Sequence, residues 1–228
     1  MLNALFYPGE DKAGTKIPFD KLFVPYIYQE IYFDGIYLDV VNQLEHGGKK
    51  KEDITIVDIG ANIGVVTQYL RDFGKVYSVE PSGEHFEALK KNKDFNKWDN
   101  VEVFNYAISD KDGEADLRLF DSNRTSHSIV FQAQEGEEVD HVKTKSMTSF
   151  FKDAGIKHVD FMKFDVEGAE ELILPSDDFK EALQMIDNIE IEFHFPDFTK
   201  HVNALIKAGY TARRYNCSAI VIDFQRNR

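Results

Sequence analysis

The chain has 228 residues, 43% of them hydrophobic, and a formal net charge of −13, so one domain with a sizeable core plus an extension is expected. The negative charge argues against nonspecific nucleic-acid binding, which requires clustered cations. No run of about eighteen apolar residues predicts a membrane span, and the single cysteine, Cys217, excludes an internal disulfide and a cysteine-based zinc cluster.

The N-terminal region differs in composition from the rest of the chain. Residues 1–45 are rich in Phe and Tyr, and a charged linker follows at 46–53. We therefore divide the chain into an aromatic-rich N-terminal extension, 1–50, with a suggested role as a lid, and a main domain, 51–228. The first residues lack a basic start followed by an apolar stretch, which predicts no signal peptide. Together with the single cysteine, this favours a cytoplasmic location.

From Ile54 onward, hydrophobic periodicity predicts alternating strands and helices, the pattern of a parallel sheet covered on both faces. Core strands are predicted at 54–59, 76–79, 101–104, 159–164 and 189–195. An inserted strand pair is predicted at 115–120 and 139–144, and a final hairpin at 210–215 and 219–224. These segments predict an α/β fold with a doubly wound, seven-stranded sheet that ends in a C-terminal antiparallel hairpin.

The helices between these strands are predicted from stripes of buried residues three or four positions apart. The first carries Ile63, Val66, Leu70 and Phe73. The second begins near Ser82, a suitable N-cap, and buries Phe86 and Leu89. Further helices are predicted at 146–154 and at 198–208, where Gly209 ends the helix.

The segment 56–64, followed by Glu80, carries the most informative chemical signal. An apolar strand runs into Asp58 and a turn with Gly60 and Gly64, and the next strand ends at Glu80, about twenty residues beyond Gly60. Glycines allow a backbone to approach a ligand closely. A carboxylate at the end of the second strand can bind the two hydroxyls of a ribose.

This loop departs from a dinucleotide-binding loop. A pyrophosphate-binding loop reads G-x-G-x-x-G, whereas this turn lacks the middle glycine and follows Asp58. That carboxylate would repel a pyrophosphate but would suit a cationic ligand such as a sulfonium amino acid. The pattern is similar to motif I of the class I S-adenosylmethionine-dependent methyltransferases. It disfavours an NAD-dependent oxidoreductase and an ordinary tight turn, the two alternatives.

The fourth and fifth strands place further polar groups at the same edge of the sheet. Ligands of open parallel sheets bind outside the carboxyl ends of the strands, so Asp165 is expected in the same crevice as Glu80. An alternative is that Asp165 and Glu167 cap a helix N-terminus. On the fifth strand, Glu190, Glu192 and His194 share one face. Buried carboxylates need partners, and the predicted partner of Glu190 or Glu192 is Lys163.

These groups allow more than one catalytic chemistry. An alcohol is a poor nucleophile at neutral pH and needs a base, for which Asp165 or His194 is predicted, with Glu192 orienting His194. The same three residues, Asp165, Glu192 and His194, could instead bind Mg²⁺ or Mn²⁺. His127, in a polar loop, is a further candidate base, and a solvated loop histidine is the alternative.

Four segments of the chain resemble the FkbM-type methyltransferases. They occur in the family's order, at 57–64, 79–82, 105–110 and 163–170. The Asp-Val-Glu-Gly-Ala-Glu segment at 165–170 is specific to the family, whereas the glycine loop alone indicates a class I methyltransferase. The resemblance implies a Rossmann-like fold, S-adenosylmethionine as methyl donor and, usually, O-methylation of a sugar or natural-product hydroxyl.

The resemblance also implies which residues contact the cofactor. Three successive groups of residues along the chain would contact, in turn, the amino-acid half, the ribose and the adenine of S-adenosylmethionine. The implied residues are Asp58, Gly60, Ala61, Asn62 and Gly64, then Glu80 and Pro81, then Tyr106 and Ala107, with Asp165 beside them.

Other functions stay open at this point. A nucleic-acid methyltransferase would share the fold and the cofactor, but the chain has no Asn-Pro-Pro-Tyr type motif and its charge is adverse. A module that binds S-adenosylmethionine without transferring a methyl group is a separate class. We expect a small hydroxylated acceptor, no nucleic-acid partner and no membrane span. The identity of the acceptor and the oligomeric state are not determined by the sequence, because acceptor pockets are made from variable loops.

Overall fold

The computed structural model describes residues 29–33, 35–119, 127–131, 139–216 and 221–227. Most of the aromatic N-terminal extension lies outside the described residues. So do Cys217, position 120 of the predicted inserted strand and positions 219–220 of the predicted hairpin. No helix in the described ranges combines the length and apolar character that crossing a bilayer would need.

Within the described ranges, ten strands form two sheets. Their bounds are Thr55–Ile59 (β1), Lys75–Val79 (β2), Val101–Phe104 (β3), Ala107–Ile108 (β4), Gly113–Arg118 (β5), Val139–Lys145 (β6), Phe161–Phe164 (β7), Asn188–Glu192 (β8), Tyr210–Asn216 (β9) and Val221–Arg226 (β10). The main sheet has the order β3-β2-β1-β7-β8-β10-β9, and β4, β6 and β5 make a small second sheet. Strands β5 and β6 pair antiparallel, which confirms the predicted inserted pair.

The main sheet confirms the predicted doubly wound α/β fold. Strand β1 pairs parallel with β2 on one side and with β7 on the other. Strand β10 pairs antiparallel with both β8 and β9, which forms the predicted terminal hairpin. The chain order reverses between β1 and β7. In open α/β sheets a crevice opens at such a switch point, outside the carboxyl ends of the strands.

Seven α-helices cover the sheet in the described part of the chain. Their bounds are Leu38–His46 (α1), Val65–Leu70 (α2), Gly83–Asn96 (α3), Met147–Asp153 (α4), Glu170–Ile173 (α5), Asp177–Ala182 (α6) and Thr199–Lys207 (α7). A π-helical turn spans Gln29–Phe33, and 3₁₀ turns span Lys51–Asp53 and Leu183–Met185. Ser82 is the N-cap of α3, as predicted, because its hydroxyl accepts the backbone N–H of His85.

Two details of the predicted helices are wrong. Helix α2 is short, so Ile63 precedes it and Phe73 follows it, although both contribute to the same apolar cluster. On α3, Phe86 is only half-buried and its neighbour His85 is buried instead. The reason is that the His85 ring turns inward, to within 3.8 Å of Glu80 at the carboxyl edge of the sheet.

The fifth core strand is shorter than the predicted 189–195. Strand β8 ends at Glu192, whose partner on β10 is Val221, the first residue of that strand. Its other neighbour, β7, pairs no further than Ile191. Because strand pairing stops on both sides, the backbone leaves the sheet there. His194 therefore lies in the loop beyond the strand, above the carboxyl edge.

The described part of the N-terminal extension packs onto the main domain. Ile31, Tyr37, Val40 and Leu44 are buried in one apolar cluster with residues of β1, such as Ile56, and of α2. The lid role suggested for the extension stays a prediction.

A buried lysine joins β1 to β7 at the switch point. Lys163 is aligned with Asp58 on β1. Its ammonium donates to the carbonyl oxygen of Gly60 at 2.7 Å and lies 3.0 Å from Asp165 Oδ2 and 3.9 Å from Asp58 Oδ1. Burial lowers the pKa of Lys163, but the charges of Asp165 and Asp58 outweigh it and raise that pKa above its ordinary value. Lys163 is therefore a buried cation between two carboxylates.

The predicted pairing of Lys163 with Glu190 or Glu192 is wrong. Lys163 bonds instead toward β1, where the Gly60 carbonyl is within its reach. Glu190 lies opposite Asp223 on β10 and hydrogen-bonds with it and with Tyr37. Burial and the nearby Asp223 charge raise the pKa of Glu190 well above its usual range. A carboxyl that holds its proton can share a hydrogen bond with another carboxylate, so it needs no cation.

Gly60 lets the loop after β1 touch the loop after β7. Its φ of +75° is in the left-handed region, and a Cβ added there would lie 1.9 Å from the backbone oxygen of Asp165. No side chain fits this contact. The glycine therefore fixes how closely the two loops that form the crevice approach each other.

Replacing Gly60 by alanine should test this contact. Gly155→Ala is the matched control, because Gly155 has a similar φ of +67° but nothing within 4 Å of an added Cβ. We expect Gly155→Ala to cost about 1 kcal/mol of unfolding free energy from backbone strain alone. Gly60→Ala should cost about 3 kcal/mol, because a steric clash is added. Equal losses in urea unfolding would contradict a tight loop contact.

Replacing Lys163 by methionine should leave two carboxylates without their cation. We expect a loss of roughly 3–5 kcal/mol of unfolding free energy, as for other broken buried ion pairs. Lys180→Met is the control, since Lys180 makes an exposed pair with Asp177 at 2.7 Å and should contribute less than about 1 kcal/mol. A Lys163→Met protein as stable as the control variant would show that the buried network contributes little.

Candidate active site

A cavity of about 290 Å³ opens where the parallel strands end. Its wall combines the loops after β1, β2, β3, β7 and β8 with the described part of the N-terminal extension, which contributes Glu30 and Tyr37. Most of the residues that the sequence predicted for a cofactor line this cavity. They are Gly60, Ala61, Asn62, Glu80, Pro81, Tyr106, Ala107 and Asp165.

Asp58 and Gly64 lie behind the cavity wall. Asp58 is fully buried and accepts a hydrogen bond from the Thr67 hydroxyl at 2.7 Å. Burial raises the pKa of Asp58, whereas Lys163 and Thr67 act against that rise. A Cβ added to Gly64 would lie 2.6 Å from Leu89 Cδ1, so this glycine allows α2 to pack on α3. Both residues hold the loop in place from behind.

Glu80 joins the loops after β1 and β2. Its two carboxylate oxygens accept the backbone N–H groups of Asn62 at 2.8 Å and Ser82 at 2.9 Å. The residue is only 4% exposed, and burial raises its pKa to about 7 although both hydrogen bonds lower it. Each carboxylate oxygen has a second lone pair. Glu80 can therefore accept two hydroxyl groups of a ligand while it holds both loops.

The side of the cavity below β3 suits a flat ring. Tyr106 packs edge-on against Phe150, with ring centroids 6.0 Å apart, and Ala107 follows it. His85 and His127 also line this side, and their rings stack 4.7 Å apart. We call Tyr106, Ala107, His85 and His127 the ring pocket. The ring of His127, a candidate base or a solvated loop histidine in the sequence analysis, stacks on His85, and its role as a base stays a prediction. The sequence pattern did not single out His85, because its position beside a helix cap gives no chemical signal.

The opposite side, at the ends of β7 and β8, is acidic. Asp165, Glu167, Glu192 and Glu30 all line the cavity there, and we call these four residues the acidic end. Parallel strands lie about 4.8 Å apart, and β2 and β1 separate β3 from β7. The ring pocket and the acidic end are therefore on opposite sides of Glu80 and the glycine loop.

His194 lies beside the acidic end and is oriented by a residue that the sequence reasoning missed. Its Nδ1 is 2.9 Å from Oε1 of the buried Glu170. The predicted orienting residue, Glu192, is 3.9 Å from Nε2, so that prediction is wrong. Glu170 belongs to the family-specific segment at 165–170, and its place in that segment is the sequence signal that could have identified it as the orienting residue.

The side chains of Asp165, Glu167 and His194 converge at one point. His194 Nε2 lies 3.2 Å from Glu167 Oε2 and 3.8 Å from Asp165 Oδ1. One ligand atom from each of Asp165, Glu167 and His194 lies within 4.8 Å of the others. The predicted metal set contained Glu192 in place of Glu167. The cap alternative for Glu167 is wrong, because α5 begins at Glu170 with Ala169 as its N-cap.

Neighbouring charges shift the pKa values of His194 and Glu192 and so decide which of them can accept a proton. Burial lowers the pKa of His194, but the hydrogen bond with Glu170 and the charge of Asp165 outweigh it and raise that pKa to about 9. A histidine that is protonated at neutral pH does not accept a proton. Burial and the Asp165 charge raise the pKa of Glu192 to about 7, against the opposing effect of His194.

Comparisons with known proteins identify the family of the chain. A family model described as the methyltransferase FkbM domain matches residues 58–212, more than half of the chain. The chain is 28% identical over 197 residues to Methyltransferase 1 of Beauveria bassiana, covering 77% of this chain and 75% of that protein.

Two solved structures share the fold. Methyltransferase FkbM from Methylobacillus flagellatus superposes with a TM-score of 0.52 and 15% identity, covering 87% of this chain and 47% of that one. An rRNA methylase from Streptococcus thermophilus superposes with a TM-score of 0.53 and 9% identity, covering 92% of this chain and all of that one. The family match, the sheet order and the glycine loop all lead to one conclusion: the chain belongs to the FkbM family of S-adenosylmethionine-dependent methyltransferases.

Proposed function

We propose that the protein transfers a methyl group from S-adenosylmethionine to a hydroxyl of a small polar acceptor, such as a sugar or another natural product. One observation carries the proposal: a single cavity joins the ring pocket and Glu80 to an acidic end with several carboxylates. Carboxylates can both accept hydrogen bonds from a polyhydroxylated molecule and take up the proton of a reacting hydroxyl.

The lining of the cavity supports binding of the cofactor that the family uses. The ring pocket would hold the adenine, and Glu80 would accept the two ribose hydroxyls. The backbone at Gly60 and Ala61, which lines the cavity without bulky side chains, would hold the amino-acid half. When bound, the cofactor supplies an activated methyl group on a sulfonium.

The residues of the acidic end would align the acceptor and remove its proton. Lys163 already occupies Asp165 Oδ2, at 3.0 Å, and Glu170 already holds His194. Glu192 lines the cavity and lies 3.9 Å from the His194 ring. We therefore assign the general-base role to Glu192. As the acceptor oxygen gains the methyl group, its hydroxyl proton passes to the Glu192 carboxylate.

An RNA acceptor is the main alternative, because an rRNA methylase shares the fold. The net charge of −13 and the acidic end disfavour it, since phosphates would be repelled. Incubation with radiolabelled S-adenosylmethionine and either a panel of glycosides, polyols and phenols or total RNA would decide between them. Labelling of a small hydroxylated molecule is expected. Labelling of RNA alone would overturn the proposal, and cofactor binding without any transfer would favour a binding module.

Replacing Glu192 by glutamine should test the assigned base. We expect kcat with the acceptor found in that panel to fall at least about 100-fold, because a positioned base contributes roughly that much. Cofactor affinity should change less than about threefold, since Glu80 and the glycine loop would hold the cofactor. Glu181→Gln, at an exposed position away from the cavity, is the control. Unchanged turnover in Glu192→Gln would exclude Glu192 as the base.

Binding of the adenosine part should depend on the ionisation of Glu80. The probe is 5′-methylthioadenosine, which has the ribose and adenine but no group that titrates near neutrality. The ionised carboxylate accepts both hydroxyls, and its pKa is about 7 without ligand. Affinity should therefore rise through pH 7 and level off above it, and should fall up to about tenfold per pH unit below pH 7.

Two variants separate this effect from general changes with pH. Glu80→Gln should bind 5′-methylthioadenosine about tenfold more weakly at pH 8 and should lose the dependence on pH. Glu84→Gln, an exposed position on the next helix, should behave as the unmodified protein does. Calorimetry from pH 5.5 to about 8.5 measures both. A pH profile of Glu80→Gln that matches the unmodified protein would show that another group titrates.

A further inference from the structure

We infer that Asp165, Glu167 and His194 bind a divalent metal ion of the Mg²⁺ or Mn²⁺ type at the acidic end of the cavity. Each offers one ligand atom, and these atoms lie within 4.8 Å of one another. Ligand atoms around an octahedral ion with bonds of about 2.1 Å are about 3 Å apart when adjacent and about 4.2 Å apart when opposite. The 3.2 Å from His194 Nε2 to Glu167 Oε2 is close to the adjacent distance, and the 3.8 Å from Nε2 to Asp165 Oδ1 lies between the two distances.

The histidine is held as a metal-binding histidine usually is. Glu170 is 1% exposed, and its Oε1 lies 2.9 Å from His194 Nδ1. The Nδ1 side of the ring is bound to Glu170, so Nε2 is directed at the two carboxylates, where a metal ion would displace the proton that Nε2 otherwise carries. Ligating histidines commonly donate their other N–H group to such a carboxylate, which fixes the ring and its tautomer.

A buried oxygen without a hydrogen-bond donor in the described structure, Asp165 Oδ1, is a second indication that a cation binds at this point. Asp165 Oδ1 is inaccessible to solvent and has no hydrogen-bond donor among the described residues. It lies 3.8 Å from His194 Nε2, whereas its sister oxygen, Oδ2, is bound by Lys163. A buried acceptor without a partner is costly. A cation between Asp165, Glu167 and His194 would satisfy it.

The donor set indicates the kind of ion. Two carboxylates with one imidazole form an oxygen-rich set, which suits Mg²⁺ or Mn²⁺ better than the soft ions that cysteine selects. Asp165 and Glu167 line the cavity, so an ion there would leave coordination positions for a ligand. If the proposed O-methylation is correct, the ion would bind the acceptor oxygen and make its proton easier for Glu192 to remove.

A second acidic cluster provides a matched control. His158, Asp160 and Asp187 also converge in the described structure. In that cluster, however, Lys49 already pairs with Asp160 at 2.7 Å, and Asp160 Oδ2 also accepts the backbone N–H of Thr55. The Asp160 carboxylate thus has a cation and a hydrogen-bond donor. We expect this cluster to bind no metal.

Titration with MnCl₂ alone, followed by the electron paramagnetic resonance signal of free Mn²⁺, tests the site without an acceptor. We expect one ion per chain, bound at least about tenfold more weakly in Glu167→Gln and His194→Gln and unchanged in His158→Asn. Glu167 is partly exposed, so Glu167→Gln keeps the test valid if His194→Gln does not fold. No binding up to millimolar Mn²⁺, or binding lost only in His158→Asn, would overturn the inference.

A second measurement separates the metal site from the proposed function. Binding of 5′-methylthioadenosine to the EDTA-treated protein should be unchanged, because Glu80 and the ring pocket are separate from the metal ligands. One Mn²⁺ bound through Glu167, without methyl transfer to any hydroxylated molecule, would retain the metal site and refute the function. Methyl transfer that continues at the same rate in EDTA, with no Mn²⁺ bound, would refute the metal site and retain the proposed function.

Discussion

The buried ammonium of Lys163 is the interaction on which the site depends. It lies between β1 and β7, contacts the Gly60 carbonyl and Asp165, and lies close to Asp58. A single cation thereby joins the glycine loop to the acidic loop at the switch point of the sheet. Because Gly60 has no Cβ, these two loops approach until their backbones touch. The crevice has its shape because this contact is both electrostatic and steric.

From that point the cavity divides into two chemical environments. Toward β3, aromatic and imidazole rings surround a space that suits a flat base. Toward β8, carboxylates predominate, and Glu80 stands between the two sides. This asymmetry suits the proposed O-methylation, in which the donor would be recognised by its shape and its hydroxyls and the acceptor hydroxyl would lose a proton. The same excess of negative charge favours a cation, either the protonated His194 or a bound metal ion.

Much of the fold could be predicted because its signals are local. Alternation of apolar residues indicates a strand and a spacing of three or four indicates a helix, whichever residues lie opposite them. The glycine loop and Glu80 could also be predicted from the sequence, because neighbouring residues determine a tight turn and the end of a strand. Predicted boundaries were less accurate. Strand β8 ends where its neighbours cease to pair, and a single sequence contains no record of that pairing.

By itself, the sequence determined the doubly wound sheet, the glycine loop, the acid at the end of β2 and the family. Only the tertiary structure decided the partners of the charged groups. Lys163 bonds toward β1 instead of β8, Glu170 holds His194, and Glu167 joins Asp165 beside the same ring. These choices depend on which of several carboxylates lies nearest in space once the strands are aligned. Such distances join residues far apart in the chain, so no local pattern encodes them.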